Sequence, residues 1–156
     1  MLLKELALEN GLLIRELPAS QLEDASPIIS QFRPYLTRED YIAIAGDMIK
    51  NGYKIACMYH ASEMIAYAGF AENLNLHYGR HIWVYDLVVD EKCRSKGYGG
   101  IMLQYIEDIA TENQIKSVAL SSGLQRLQAH NFYENKAGYD KVSFVYKKEL
   151  AQKDNH

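Results

Sequence analysis

The chain has 156 residues, a formal net charge of −3 at pH 7, and 48% hydrophobic and 24% charged residues. This composition is typical of one globular domain that buries a hydrophobic core without disulfides or metals. The small negative charge provides no basic excess to neutralise phosphates, which argues against nucleic acid as the main partner. Cys57 and Cys93 have neither the number of a disulfide framework nor the CxxC spacing of a metal site, and we expect no metal.

The N-terminal segment carries charges of both signs and lacks the uninterrupted apolar region of a signal peptide. No stretch approaches the roughly 18 apolar residues that a membrane-spanning helix needs. We therefore expect a cytoplasmic protein with no membrane partner, built as a single domain over residues 1–156.

Strand and helix signals alternate along the chain. Runs of β-branched and aromatic residues between turn residues indicate strands, and apolar residues three and four apart indicate helices. In chain order the predicted elements are a strand at 12–16, a helix at 21–32, a helix at 40–50, a hairpin of 53–59 and 64–70, a strand at 81–89, a helix to about 113, a strand at 117–121, a helix at 124–136 and an extended segment of one or two strands at 139–150. This order predicts an α/β or α+β domain with helices on a mixed sheet.

Two local signals mark the ends of the early helices. Pro27 is awkward inside a 21–32 helix, and a start near Ser26 would place it at the first helical position, where proline is tolerated. Thr37 precedes Asp40 in a pattern similar to a capping box, and Asn51-Gly52 is a typical stop.

A glycine-rich segment follows the 81–89 strand and opens the next helix. Its spacing is Arg94-x-x-Gly97-x-Gly99. Glycines let the backbone pass close to a bulky ligand, and loop N–H groups at a helix N-terminus favour an anion such as pyrophosphate. Arg94 and Lys96 add positive charge, so the segment predicts a phosphate-bearing ligand.

Three other types of glycine-containing loop can be compared with this spacing. A P-loop requires Gly-Lys-Ser/Thr, but Gly99 is followed by Gly100-Ile101. The dinucleotide fingerprint G-x-G-x-x-G fails because Met102 stands where its third glycine belongs. A tight turn that only caps a helix remains compatible with the glycines alone.

The loop resembles the acetyl-CoA loop of the GNAT superfamily of N-acetyltransferases, whose Q/R-x-x-G-x-G/A signature follows a strand ending in L-x-V. Here Leu87-Val88-Val89 stands in that strand and Arg94, Gly97 and Gly99 match the signature. A second segment, Arg126 to Tyr139, resembles the family's R-x-x-A-x-x-F-Y-x-x-x-G-F/Y motif. Two motifs in the expected order favour the family over a simple capping turn. The sequence departs from the usual pattern at Glu91, often proline, Cys93, often aromatic, and Ser95, often glycine.

The resemblance implies a GNAT-like mixed central β-sheet flanked by helices, with splayed central strands, and acetyl-CoA as cofactor. The pantetheine arm would lie along Leu87, Val88 and Val89 like an added strand, and a backbone N–H there would polarise the thioester carbonyl. Asn131 would lie near the pantetheine. The pyrophosphate would be held by the loop residues Arg94, Ser95, Lys96, Gly97, Tyr98, Gly99 and Gly100.

The resemblance also implies catalytic roles. Tyr133 matches the family's general acid toward the departing sulfur. Full proton transfer from a tyrosine of pKa about 10 to a thiolate of pKa about 8.5 is uphill, so Tyr133 either has a lowered pKa or donates a hydrogen bond. Otherwise Phe132 and Tyr133 are simply packed aromatics. An alkyl amine must lose a proton before attack, and the first candidate base is Asp86, with Glu72 and His77 as others.

The predicted reaction is direct attack of a primary amine on the thioester. The alternative is a non-catalytic acyl-CoA-binding sensor or interaction module, and another acyl-CoA is also open. The acceptor is a small molecule or a protein amino group: a polyamine, an aminoglycoside, an amino acid and a protein amine all remain candidates, and a homodimer is possible. Tyrosines that could line its pocket are Tyr35, Tyr41, Tyr67 and Tyr85.

Overall fold

A computed structural model describes residues 1–153. The chain divides into two compact units, Met1–Leu120 and Ser121–His156. The first unit contains a six-stranded sheet and three α-helices, and the second contains a short helical segment and the C-terminal tail. The single-domain organisation over 1–156 stays a prediction.

The sheet has the spatial order β1-β2-β3-β4-β5-β6, so every strand lies beside its neighbour in sequence. All neighbouring strands are antiparallel except β5 and β6, which are parallel because α3 crosses between them. The strands are β1 (Leu6–Ala7), β2 (Leu12–Glu16), β3 (Lys54–His60), β4 (Glu63–Asn75), β5 (Gly79–Val89) and β6 (Val118–Leu120).

The α-helices are α1 (Ser26–Phe32), α2 (Arg38–Lys50), α3 (Tyr98–Glu112) and α4 (Leu127–Asn131). Residues Ala19–Ala25 form a 3₁₀ segment, and α1 begins at Ser26 with Pro27 in its first turn, as the alternative helix start predicts. The α2 cap is confirmed, because the Asp40 N–H donates to Thr37 Oγ1 at 3.0 Å. No helix among residues 1–153 is both long and apolar enough to cross a membrane.

The mixed sheet with flanking helices confirms the predicted fold class, and most predicted strands are present. The two-residue β1 was not predicted, and β4 extends five residues past the predicted end at Phe70, since Asn75 pairs with Gly79. The strands predicted at 139–150 are wrong: the structure assigns no strand there, and apolar side chains such as Phe144 and Tyr146 are exposed. The apolar alternation in that tail finds no ladder partner within the described residues.

Helices cover both faces of β4 and β5. On one face, Tyr41 and Ala45 of α2 join Ile28 and Ile29 of α1 in a buried cluster with Val88 of β5. On the other face, α3 packs against the same strands and buries the apolar stripe Met102, Leu103, Tyr105, Ile106 and Ile109. The carboxyl end of β5 is therefore held between two helical layers.

Candidate functional site

The sheet opens beside the carboxyl end of β5. The pairing of β5 with β6 covers only Ile82–Val84, ending where Val84 faces Leu120. The β4–β5 register shifts between Gly69 and Phe70, which leaves Tyr85 as an extra residue in β5. Beyond this bulge the segment 86–89 has β4 as its one ladder partner among residues 1–153, and its other edge carries no strand pairing there. The β5–β6 ladder thus ends at Val84, where β6 itself ends at Leu120.

Alternation along this segment fixes which backbone groups face the open edge. The Asp90 N–H donates to the Ile65 carbonyl of β4 at 2.9 Å. Because peptide direction alternates in an antiparallel ladder, Val88 also faces β4, whereas Leu87 and Val89 face the open edge. The Val89 carbonyl accepts a 3.3 Å hydrogen bond from Arg94 Nε. Leu87 and Val89 are thus the residues whose backbone could pair with an added strand.

The turn after β5 is pinned by side chains. Asp90 is buried, and its Oδ1 accepts the Lys92 N–H at 2.9 Å, which caps the 3₁₀ turn Glu91–Cys93. From α1, Gln31 Oε1 accepts the Glu91 N–H at 3.0 Å and Gln31 Nε2 donates to Asp90 Oδ2 at 3.4 Å. Gln31 was missed in the sequence, because nothing local marks a glutamine that bonds 60 residues away.

The glycine-rich loop has a left-handed backbone at two positions just before α3. Ser95 and Gly97 have φ angles of +67° and +82°, and Gly97 is the residue that precedes α3. The first-turn N–H groups at Tyr98, Gly99 and Gly100 have no intrahelical acceptor, and this turn contains no acidic residue. Arg94 and Lys96 are exposed beside it. These residues fit a pyrophosphate, since open N–H groups and positive charge meet at one helix end.

Asp86 lies at the bulge and has both carboxylate oxygens engaged. Oδ1 accepts a hydrogen bond from Arg33 Nε at 3.0 Å and forms an ion pair with Arg33 Nη2 at 2.9 Å, and Oδ2 accepts a hydrogen bond from the Tyr53 hydroxyl at 2.6 Å. Arg33 also donates to the Tyr85 carbonyl and to the Tyr35 hydroxyl. Burial acts to lower the pKa of Arg33, but these hydrogen bonds and the Asp86 charge outweigh it and raise that pKa. Asp86 therefore keeps a cationic partner.

Three buried phenols connect Asp86 to α2. The Tyr41 hydroxyl donates to that of Tyr67 at 3.1 Å, and the hydroxyls of Tyr67 and Tyr53 are 3.0 Å apart. The Tyr53 hydroxyl uses its one hydrogen to donate to Asp86. In the hydrogen bond between Tyr67 and Tyr53, Tyr67 must therefore be the donor. Burial raises the pKa of all three phenols, and for Tyr53 the charge of Asp86 adds to the increase. The phenols stay protonated and direct a chain of donors toward one carboxylate.

Gly69 makes room for this arrangement. It pairs with Asp86 across the β4–β5 ladder, and a Cβ at this position would lie 1.8 Å from the Tyr53 hydroxyl. No side chain could therefore stand at 69 while Tyr53 donates to Asp86. This role was missed in the sequence, where a strand glycine indicates only a bulge or a close approach.

A cavity of about 190 Å³ lies between α1, α2 and the bulge of β5. Its lining combines apolar side chains of the two helices, tyrosine rings and the Arg33–Asp86 pair. The lining residues are Ile29, Arg33, Leu36, Tyr41, Ile44, Ala45, Met48, Tyr53, Tyr85 and Asp86. Of the tyrosines predicted to line an acceptor pocket, Tyr41 and Tyr85 do so; Tyr67 packs behind Tyr53, and Tyr35 bonds Arg33.

The other candidate bases are poorly placed for that role. The Glu72 carboxylate accepts a hydrogen bond from Arg80, which lowers the pKa of Glu72 and makes it a weaker base. His77 is exposed in the β4–β5 turn, with its ring against Tyr78. Neither residue lines the cavity. Among residues 1–153, no group of three or more His, Cys, Asp or Glu side chains could hold a metal ion.

The second unit contains the remaining predicted site residues. Tyr133 lies in the π-helical turn Phe132–Lys136, and its carbonyl accepts the Tyr139 N–H at 2.8 Å. Burial raises the pKa of Tyr133, and the charge of Arg126 only partly opposes this increase. Asn131 is exposed at the end of α4, where its Oδ1 accepts Asn135 Nδ2 at 2.7 Å.

Comparisons with known proteins agree with this geometry. Residues 18–139 match the family model described as acetyltransferase (GNAT) family. A Bacillus subtilis (strain 168) protein named "Uncharacterized N-acetyltransferase YhdJ" is 36% identical over 126 residues, which cover 80% of this chain and 89% of that protein.

Solved structures show the same fold at lower identity. A possible acetyltransferase from Clostridium difficile 630 superposes with a TM-score of 0.75 at 17% identity, covering 90% of this chain and 99% of its own. An aminoglycoside N-acetyltransferase solved in complex with CoA superposes with a TM-score of 0.78 at 12% identity, covering 89% and 94%. From the family match and the Bacillus relative together, this chain belongs to the GNAT family of acetyltransferases.

Proposed function

We propose that this protein transfers the acetyl group of acetyl-CoA to a primary amine. The observation that carries the proposal is the open edge of β5 at Leu87 and Val89, which leads directly into the glycine-rich loop. Family membership supports acetyl transfer, and the name of the Bacillus relative supports nitrogen as the acceptor atom. Acetyl-CoA supplies the activated thioester and the thiol leaving group.

The cofactor would be held by the backbone of β5, by the N–H groups of the glycine-rich loop, and by the positive charges of Arg94 and Lys96. Leu87 and Val89 would bond the pantetheine arm as an added strand, while Val88 fixes the segment by packing its side chain into the α1–α2 cluster. An N–H at this edge would also stabilise negative charge on the thioester oxygen. We assign the pyrophosphate to the loop residues Arg94, Ser95, Lys96, Gly97, Tyr98, Gly99 and Gly100, and the pantetheine amides to Asn131.

Tyr133 is proposed as the residue that stabilises the departing thiolate. Because burial raises the pKa of Tyr133, complete proton transfer to a thiolate is more unfavourable than for a free tyrosine. Its role is therefore hydrogen-bond donation to the developing charge rather than release of a proton.

Asp86 is proposed to bind the amine and receive its proton. Hydrogen bonds from Arg33 and Tyr53 hold the Asp86 carboxylate at the cavity wall. A carboxylate accepts about four hydrogen bonds, so Oδ2 retains capacity for an incoming ammonium. Asp86→Asn should lower kcat/KM for the amine about 100-fold without changing the affinity for acetyl-CoA.

The test is a thiol-release assay with acetyl-CoA and a panel of primary amines, run beside a calorimetric titration with acetyl-CoA. Amine-dependent release that falls in Asp86→Asn supports the proposal. Tight binding of acetyl-CoA without release by any amine would instead support a non-catalytic acyl-CoA-binding module. Absence of both binding and release would refute the cofactor assignment.

A further inference from the structure

We infer that the acceptor is a small primary amine with a single ammonium group and an apolar body, and that it occupies the cavity between α1, α2 and the β5 bulge. This inference rests on the proposed acetyl transfer. Its evidence is the position, charge and shape of that cavity.

The position of the cavity suits an acceptor. Tyr85 and Asp86 form its wall on β5, and the next residue, Leu87, begins the open edge assigned to the pantetheine arm. The Asp86 side chain lies on the α1–α2 side of the strand, where it bonds Arg33 and Tyr53. An amine bonded to Asp86 would thus lie next to the backbone proposed to hold the thioester.

The charge of the lining disfavours an acceptor with several positive charges. Asp86 is the one carboxylate among the lining residues, and Arg33 already balances its charge at 2.9 Å. A polyamine or an aminoglycoside would bring several ammonium groups into a cavity that offers no further carboxylate to pair with them. Unpaired charges are costly to bury, so such acceptors are disfavoured.

The remaining surface of the cavity favours an apolar body. Leu36, Ile44 and Met48 contribute aliphatic side chains, and the rings of Tyr41 and Tyr53 add aromatic surface suited to an alkyl chain or a ring. The volume of about 190 Å³ lies below the roughly 300–1,000 Å³ that is typical of pockets for drug-sized ligands, which fits a compact amine and not an oligosaccharide.

The loop between α1 and α2 favours a free small molecule over a lysine side chain of a protein. Arg33 ties this loop to β5 through Asp86 and the Tyr85 carbonyl, and Leu36 lines the cavity from the same loop. A peptide needs an extended groove for its backbone on both sides of the lysine. The tethered loop instead bounds the cavity.

The experiment measures kcat/KM at saturating acetyl-CoA for isoamylamine, phenethylamine, spermidine, kanamycin and a blocked lysine-containing peptide. We expect the two monoamines to exceed the other three by about tenfold or more. Higher kcat/KM for spermidine, kanamycin or the peptide would overturn this inference while leaving acetyl transfer intact. Failure of every amine despite calorimetric binding of acetyl-CoA would refute the proposed function itself, and this inference with it.

A second carboxylate in the lining tests whether the charge of the cavity selects against acceptors with several ammonium groups. Ile44 lines the cavity but is half exposed, so Ile44→Glu adds a carboxylate without emptying the core. We expect the ratio of kcat/KM for spermidine to that for isoamylamine to rise about fivefold. The matched control is Ala43→Glu, which puts the same charge on an exposed position of α2 outside the lining and should leave the ratio unchanged. An unchanged ratio in Ile44→Glu would contradict the assignment of the cavity.

Discussion

Asp86 of β5 lies directly opposite Gly69 of β4 in the antiparallel ladder. The carboxylate needs the Tyr53 hydroxyl as a donor, and that hydroxyl reaches it because position 69 lacks a side chain. The chemistry of one residue thus depends on the absence of atoms at another. A sequence pattern reveals only that a strand contains a glycine.

The Gly69→Ala substitution should destabilise the protein by about 1–3 kcal/mol, because its methyl group overlaps the Tyr53 hydroxyl in a packed interior. The control is Gly46→Ala in α2, where a Cβ has no neighbour within 4 Å and should stabilise the helix by roughly 0.5–1 kcal/mol. Urea unfolding of the two variants measures both values. Equal free energies of unfolding would show that Tyr53 moves aside at little cost.

The Tyr133→Phe substitution should lower kcat about 10- to 100-fold and leave the KM for acetyl-CoA nearly unchanged, because the hydroxyl acts only as charge develops on the sulfur. Tyr146→Phe removes a hydroxyl from a side chain that is 90% exposed and should change neither value. Steady-state kinetics of the two variants measures kcat and the KM for acetyl-CoA. An unaltered kcat in Tyr133→Phe would reduce this residue to a packed aromatic.

The loop between β5 and α3 contains two residues with positive φ angles, and hydrogen bonds hold the turn that precedes them. Ser95 and Gly97 have positive φ angles, which cost a non-glycine residue about 1–2 kcal/mol. Asp90 and Gln31 hold the preceding turn through hydrogen bonds to backbone and side chain. The positive φ angle of Ser95 is one that glycine adopts more readily than serine. The hydrogen bonds of Asp90 and Gln31 therefore fix the turn that leads into the loop.

A loop substitution separates strain from binding. Gly97→Ala should cost about 1–2 kcal/mol of stability and weaken the affinity for acetyl-CoA, because φ at this position is +82° and the loop must change shape. Gly79→Ala, in the β4–β5 turn with φ of +66°, should cost a similar amount without any change in affinity. Calorimetric titration with acetyl-CoA distinguishes them. Equal dissociation constants would exclude the loop as the anion site.

The phenol chain links α2 to β4 and predicts a pH dependence. A tyrosine whose pKa is raised by folding contributes stability that is complete below the unfolded value of about 10 and is lost as the pH rises above it. For Tyr67, whose pKa is raised by burial and by the neighbouring Tyr53 and Tyr41, this loss is about 1.4 kcal/mol per pH unit.

The Tyr67→Phe substitution should therefore give a shallower decline of the free energy of unfolding above pH 10, although its hydrogen-bond loss lowers stability at pH 7. The exposed Tyr146→Phe variant should keep the wild-type slope. Urea unfolding at several pH values between 9 and 11.5 measures both. Identical slopes for Tyr67→Phe and the wild type would show that Tyr67 titrates normally.

For the whole molecule, local patterns predicted the elements and the loop because each depends on neighbours in sequence. The Thr37 cap, the Ser26 start of α1 and the Arg94–Gly99 spacing are signals of this kind. Contacts between residues that are far apart in sequence could not be predicted from local patterns. Arg33 bonds Asp86 at the cavity, 53 residues away, and Gln31 bonds Glu91 in the turn after β5, 60 residues away. Alternation in the tail at 139–150 predicted strands, but a strand also requires a ladder partner, which no local pattern reveals.

The most direct test of the central claim is mass spectrometry of the amine after incubation with this protein and acetyl-CoA. We predict that isoamylamine gains one acetyl group in amounts equal to the CoA released, and that Asp86→Asn slows its formation. Release of CoA without an acetylated amine would indicate hydrolysis of the thioester and would contradict amine acetylation.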